Sequence, residues 1–220
     1  MRKLDGPRRE PRQPADRLVV LLHGYGANGE DLIALADALE ARLPRTVFVA
    51  PDAPEPLPGA GFGARQWFDL TFRDPGELWR GVNHARPALD RFLDAELARY
   101  RLPARAMALV GFSQGTMMAL HVALRRNEAP AAIVGFSGLI AGPEHLAGEI
   151  ACRPPVQLIH GAEDDLIPIE AMHFTREVLA EAQVPVEWHE RPGLGHGIDP
   201  AGLALAGGFL SEMLASGADR

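Results

Sequence analysis

The 220 residues predict an α/β fold, a mostly parallel central sheet with helices packed on both faces. Three observations carry this reading. Short apolar runs alternate with longer segments of helical period along most of the chain. The apolar runs are continuous, as expected of strands covered on both sides. Several of them lead into glycine-rich stretches, and in such sheets ligands bind at the carboxyl ends of the strands.

Residues 1–17, MRKLDGPRREPRQPADR, are polar and proline-rich and contain no hydrophobic core for a secretory signal. They read as a flexible tail ahead of a single domain spanning 18–220. LVVLL (18–22) is the first buried strand and ends in His23-Gly24. EDLIALADALEARL (30–43) has helical apolar spacing and stops before Pro44. TVFVA (46–50) predicts a strand, ARPALDRFLDAELARY (85–100) an amphipathic helix, and MALVGF (107–112) another strand. QGTMMALHVALRR (114–126) is an apolar helix, followed by strands at 131–136 and 155–160. Residues 168–182 form a helix with Pro168 at its first position, where a missing N–H costs nothing. VPVEWHE (184–190) alternates like a strand nearer an edge, and PAGLALAGGFLSEML closes the chain as a helix.

Composition excludes several classes of function. A formal net charge of −7, with no basic stripe, argues against a nucleic-acid partner. No apolar stretch is long enough to span a bilayer, so stable membrane insertion is not expected. Cys152 is the only cysteine, which rules out an intrachain disulfide and fits a reducing cytoplasm. No pair of histidines has ligand spacing on one helix, so a metal centre is not expected.

The chemistry gathers at the predicted strand ends. GFSQG (111–115) matches the G-x-S-x-G pattern, in which a serine sits on a strained strand-to-helix turn that exposes its hydroxyl. Ser113 lies where the required strand ends and the required helix starts. GFSGL (135–139) is a near miss without the closing glycine. A serine needs a base, and the base needs an orienting carboxylate. Of eight histidines, His196 alone sits in a glycine-rich loop after the last strand, where its ring can reach across the sheet. HGAEDDLIP supplies the acid, and spacing alone does not separate Asp164 from Asp165. Asp199 is too close to His196 in sequence to be the choice. Oxyanion donors are expected from the backbone N–H of Gln114, after the nucleophile, and of Tyr25, in the HGYGANG loop after the first strand.

LLHGYGANGEDL, QWFDL, LVGFSQGTMMAL, LIHGAEDDLIP and GLGHGID occur in one order over about 18–214. Together they resemble the phospholipase/carboxylesterase family of α/β-hydrolases, which includes the acyl-protein thioesterases. The resemblance implies that Asp164 is the acid and supports Ser113, His196 and the Tyr25 and Gln114 amides in their roles. It also implies a cofactor-free serine esterase acting on small-molecule or lipid-like esters, with a homodimer among its assemblies.

Between Pro51 and Val82 lies a stretch too long for a plain connector. Its aromatics, Phe62, Trp67, Phe68, Phe72 and Trp79, are candidates to line an acyl pocket. Trp67 is the choice for a substrate-binding residue, helped by the family's WFD motif. Few long aliphatics occur there, which favours short- to medium-chain esters over palmitoyl groups. The rivals are a thioesterase or deacylase and a non-catalytic binding protein on the same fold. Cys152 as nucleophile would lie at the wrong end of its strand.

Overall fold

The fold follows from strands whose successive side chains enter two different cores. The structure is a computed structural model that describes residues 3–61, 63–71, 74 and 76–218. In chain order the elements are β1 (Arg8–Arg9), β2 (Arg17–Leu22), α1 (Gly29–Ile33), α2 (Ala36–Leu39), β3 (Thr46–Val49), β4 (Glu55–Pro56) and β5 (Arg65–Gln66). They continue as α3 (Glu77–Tyr100), β6 (Met107–Phe112), α4 (Gln114–Ala123), β7 (Ala132–Phe136) and α5 (Pro143–Glu149). β8 (Val156–Gly161), α6 (Ile169–Glu181), β9 (Val186–Arg191) and α7 (Pro200–Ala218) complete the chain. The main sheet has the order β1-β3-β2-β6-β7-β8-β9, and every pairing is parallel except β1 with β3. β9 is an edge strand, as its alternation predicts.

Period-two alternation divides the apolar runs between the two faces. Leu18, Val20 and Leu22 of β2 join Met107, Leu109, Ile133 and Leu158 in a core covered by α3, α4 and α6. Val19 and Leu21 point the other way, joining Val110, Val134 and Ile159 beneath α1, α2 and α7. Apolar side chains fill both cores, so the central strands need no polar face.

Four local expectations are corrected. The stretch read as a flexible tail is docked on the domain over its described part. Leu4 is buried, the carbonyls of Asp5 and Pro7 accept from the amides of Asp52 and Ala50, and β1 pairs antiparallel with β3. Arg8 makes a two-pronged contact with the buried carboxylate of Glu96 on α3, at 2.7 and 3.3 Å. A bidentate charge-assisted pair of this kind offsets the desolvation of Glu96. Second, the helix expected over 30–43 is wound as α1 and α2, because the junction tightens to i→i+3 hydrogen bonds such as Leu35 N–H to Leu32 O at 3.0 Å. Third, α3 begins eight residues before the predicted start and carries Pro87 in its interior, where a proline more often marks a first turn. Fourth, Pro168 is the N-cap of α6 instead of its first helical residue.

Candidate active site

The site is built from the carboxyl end of β6 outward. Ser113 has φ 54° and ψ −116°, a left-handed conformation that costs a non-glycine residue of order 1–3 kcal/mol. Its neighbours explain why the turn is held. A Cβ on Gly111 would stand 2.4 Å from the Thr116 nitrogen, and one on Gly115 would stand 1.9 Å from the carbonyl oxygen of Leu22. Both flanking positions therefore exclude any side chain, and α4 can seat closely on β2 and β6. The Ser113 amide donates to Phe136 O on β7 at 2.9 Å, which ties the strained turn to the next strand.

The loop after β2 runs alongside this turn. A Cβ on Gly24 would lie 3.3 Å from the Ser113 Cβ. Among the described residues, neither the Tyr25 nor the Gln114 backbone N–H has an internal hydrogen-bond acceptor. Gln114 stands at the first position of α4, where the helix leaves its N–H groups unpaired and the dipole favours an anion.

His23 holds that loop. Its Nε2 accepts from the Ala53 amide at 2.9 Å, so Nδ1 carries the proton and donates to Gly24 O at 2.8 Å. Burial pushes its pKa down, and the ring is neutral. The indole N–H of Trp67 donates to His23 O at 3.0 Å. The Gln114 side chain accepts from the Trp67 amide at 2.8 Å and donates to Phe68 O at 2.8 Å. Trp67 itself is 0% exposed. The expectation that it contacts substrate is corrected: its ring is packed behind the loop and braces it.

The other aromatics of the 51–82 stretch fare similarly. Phe68 is buried against Gly81, and Trp79 is stacked on His145 with ring centroids 3.9 Å apart. Phe62 and Phe72 lie outside the described residues. Sequence reading missed the β4–β5 ribbon within this stretch, whose Arg65 exchanges backbone hydrogen bonds with Gly26 and Ala27 at 2.9 and 3.0 Å.

The acid and base come from the loops after β8 and β9. His196 Nδ1 donates to Asp164 Oδ2 at 2.8 Å, which leaves Nε2 of the neutral ring as a proton acceptor. Asp164 Oδ1 accepts from the amides of Leu166 and Ile167 at 3.0 and 2.9 Å. Burial alone would raise the Asp164 pKa. The Ile167 amide, His196 and the Leu166 amide outweigh it and hold the carboxyl below its usual range. Asp165 is exposed beside it, so the structure brings Asp164 and not its neighbour to the histidine.

The two loops are laced together by Ala162 N–H to Arg191 O at 3.0 Å and Glu163 N–H to Leu194 O at 2.9 Å. Asp199 closes the histidine loop: it takes a forked contact from Arg191 and caps α7 through Gly202 N–H at 2.7 Å. The contact for Asp199 is thus with an arginine, in a role that spacing did not suggest.

The model of the family described as Phospholipase/Carboxylesterase matches residues 9–214. The chain belongs to this family. The crystal structure of esterase PE8 is 42% identical, with a TM-score of 0.92, over 96% of this chain and 99% of that one. Esterase YpfH of Escherichia coli is 26% identical over 196 residues, 89% of this chain and 82% of its own. Acyl-protein thioesterase 1 of Gibberella zeae is 26% identical over 212 residues, 89% of this chain and 90% of its own. The parallel sheet with helices on both faces is the family's α/β-hydrolase fold. Among the described residues no helix is long and apolar enough to cross a membrane.

Two further residues at this site were met in the sequence but given no role there. His160, buried at the end of β8, brings Nε2 within 3.2 Å of Asp164 Oδ2. Ser137, from the near-miss motif, is in register beside Ser113 because Gly111 and Phe112 pair with Gly135 and Phe136. It also has a positive φ, 45°, and its hydroxyl approaches Gly197 O at 3.4 Å. The repeated GFS on adjacent strands was the available signal.

Proposed function

We propose that this protein is a serine carboxylesterase that hydrolyses short- to medium-chain carboxylic esters through an acyl-enzyme on Ser113. The observation that carries the reading is a serine held at positive φ on the β6–α4 turn, at the same carboxyl end of the sheet as a histidine hydrogen-bonded to a buried aspartate. His196 Nε2 takes the proton as Ser113 Oγ attacks the acyl carbonyl, and Asp164 holds the ring in the required tautomer and stabilises its cation. The Tyr25 and Gln114 amides receive the oxyanion. His196 then gives its proton to the departing alkoxide, and a water deprotonated by the same nitrogen releases the acid. Similarity to esterases PE8 and YpfH supports ester chemistry. The complete burial of Trp67 supports the shorter acyl range, because that ring offers no face to an acyl chain.

A second reading, a thioesterase, is favoured by similarity to acyl-protein thioesterase 1 of Gibberella zeae. Matched oxygen and thiol esters of one acyl group decide between them through kcat/KM. The unpaired Cys152 supports a cytoplasmic location. The homodimer belongs to the same proposal and is checked by sedimentation at micromolar concentration.

The primary test is fluorophosphonate labelling with peptide mapping, on the native protein and on His196→Ala. Rapid labelling confined to Ser113 and nearly lost in the variant is the expected result. Absence of labelling, or labelling indifferent to His196, overturns the assignment.

A further inference from the structure

We infer that His160 is a positioning residue for the acid, one that shares its ring N–H between Asp164 and the turn that carries it. The inference rests on the assignment of Asp164 and His196 given above. His160 is 1% exposed, and its Nε2 lies 2.7 Å from Ile167 O and 3.2 Å from Asp164 Oδ2. Both neighbours are acceptors, so Nε2 must carry the proton. The hydrogen bond goes to the carbonyl, and the carboxylate oxygen stands within ion-pair reach of the same nitrogen.

The result is a closed loop of contacts. His160 binds Ile167 O, Ile167 N–H binds Asp164 Oδ1, and Asp164 Oδ2 returns to His160. Oδ2 thus stands between two imidazoles, with His196 Nδ1 at 2.8 Å on the outer side. A carboxylate gripped at both oxygens cannot rotate away from the base, and rotation is the motion that would break the tautomer control.

The protonation state of His160 matters as much as its position. Burial pushes its pKa down, so it stays neutral. A cation there would compete with the imidazolium formed on His196 for the same carboxylate, whereas a neutral N–H orients the oxygen and leaves its charge available. The other charged groups facing it are few. Asp164 and His196 come from the two loops, and its register partner on β9, Glu190, is engaged by His173 of α6 at 3.4 Å.

The test compares His160→Leu with His160→Gln, whose side-chain amide restores a donor near the Nε2 position. In the leucine variant kcat is expected to fall about tenfold, the scale seen when a group that orients another is lost, with KM little changed. The acid limb of kcat/KM should rise by about half a pH unit, since a carboxylate relieved of one donor holds the imidazolium more tightly. Glutamine should restore most of both. A folded leucine variant with unchanged kcat and acid limb overturns the inference, as does equal loss in both variants with the limb unmoved.

Nitrogen-15 histidine spectra of the unaltered protein give an independent readout. The Nε2–H signal of His160 is expected to be present and to shift as His196 titrates; a His160 protonated on Nδ1 instead, or blind to that titration, is the contrary result. Ser113 labelling by fluorophosphonate reports on the triad separately, so failure here is distinguishable from failure of the esterase reading.

Discussion

The carbonyl oxygen of Leu22 stands 1.9 Å from the point a Cβ on residue 115 would occupy. The end of β2 and the first turn of α4 therefore touch backbone to backbone, and the strained serine is pinned by that contact. Gly115→Ala must push the helix off the sheet. A loss of about 1–3 kcal/mol is expected from the urea midpoint. Activity should fall by about a hundredfold, because displacement of a nucleophile by roughly an ångström costs that much.

Asp164→Asn keeps an oxygen for the Leu166 and Ile167 amides and presents an NH₂ group to His196. The imidazole must then turn its acceptor nitrogen inward, and kcat is expected to drop by about 10³–10⁴. Asp165→Asn, altering an exposed neighbour, should stay within about twofold. Steady-state kinetics of the two variants on one ester checks the pair, and comparable losses in both would contradict the geometry.

The strands and the elbow were legible in sequence because their signals are local. A continuous apolar run such as LVVLL says that both faces are covered, and GFSQG carries its own steric reason for two glycines. The N-terminal segment was not legible, since what docks it is a two-residue pairing with β3, one leucine, two backbone carbonyls and an arginine whose partner, Glu96, is 88 residues away in sequence. Trp67 misled for a related reason. An aromatic in a long loop suggests a ligand, and only the path of the chain reveals that its indole N–H meets His23 O. Asp164 and Asp165 are equivalent by spacing; burial tells them apart.

Trp67→Phe removes the donor to His23 O and leaves a buried carbonyl unpaired. Stability should fall by about 1–3 kcal/mol. If the ring braces the Tyr25 loop, kcat declines while the acyl-length profile and KM keep their shape. A changed chain-length preference would instead place Trp67 against substrate.

Three histidines are buried with lowered pKa: His23, His160, and His121, which burial pushes down to about 3. In the unfolded chain each binds a proton below about pH 6.5, and in the folded chain only at lower pH. The unfolded state therefore takes up more protons on acidification, so stability is full above pH 6.5 and declines as pH falls below it. Each histidine contributes a slope of up to about 1.4 kcal/mol per pH unit. Among the described residues neither ring nitrogen of His121 has a hydrogen-bond partner. His121→Leu should accordingly raise the melting temperature at pH 7 and flatten the decline between pH 6 and 4, measured by calorimetry.

Glu96→Ala leaves Arg8 without the buried carboxylate that holds β1 to α3. A loss of about 1–3 kcal/mol is expected, below that of a fully buried pair because Arg8 is partly solvated. Limited proteolysis should cut within residues 5–17 of the variant well before any other site, and an unchanged digestion pattern would show that backbone pairing with β3 suffices.

The lacing between the loops after β8 and β9 has a mechanical consequence. Ala162 with Arg191, and Glu163 with Leu194, couple acid and base into one arm, while Ser113 belongs to the anvil formed by β6 and α4. A displacement of the β9 edge would carry this arm as a piece, keeping the aspartate–histidine contact while drawing both away from the serine's strand. Wear at that edge, by heat or by mutation, would disarm the nucleophile long before it parted the dyad.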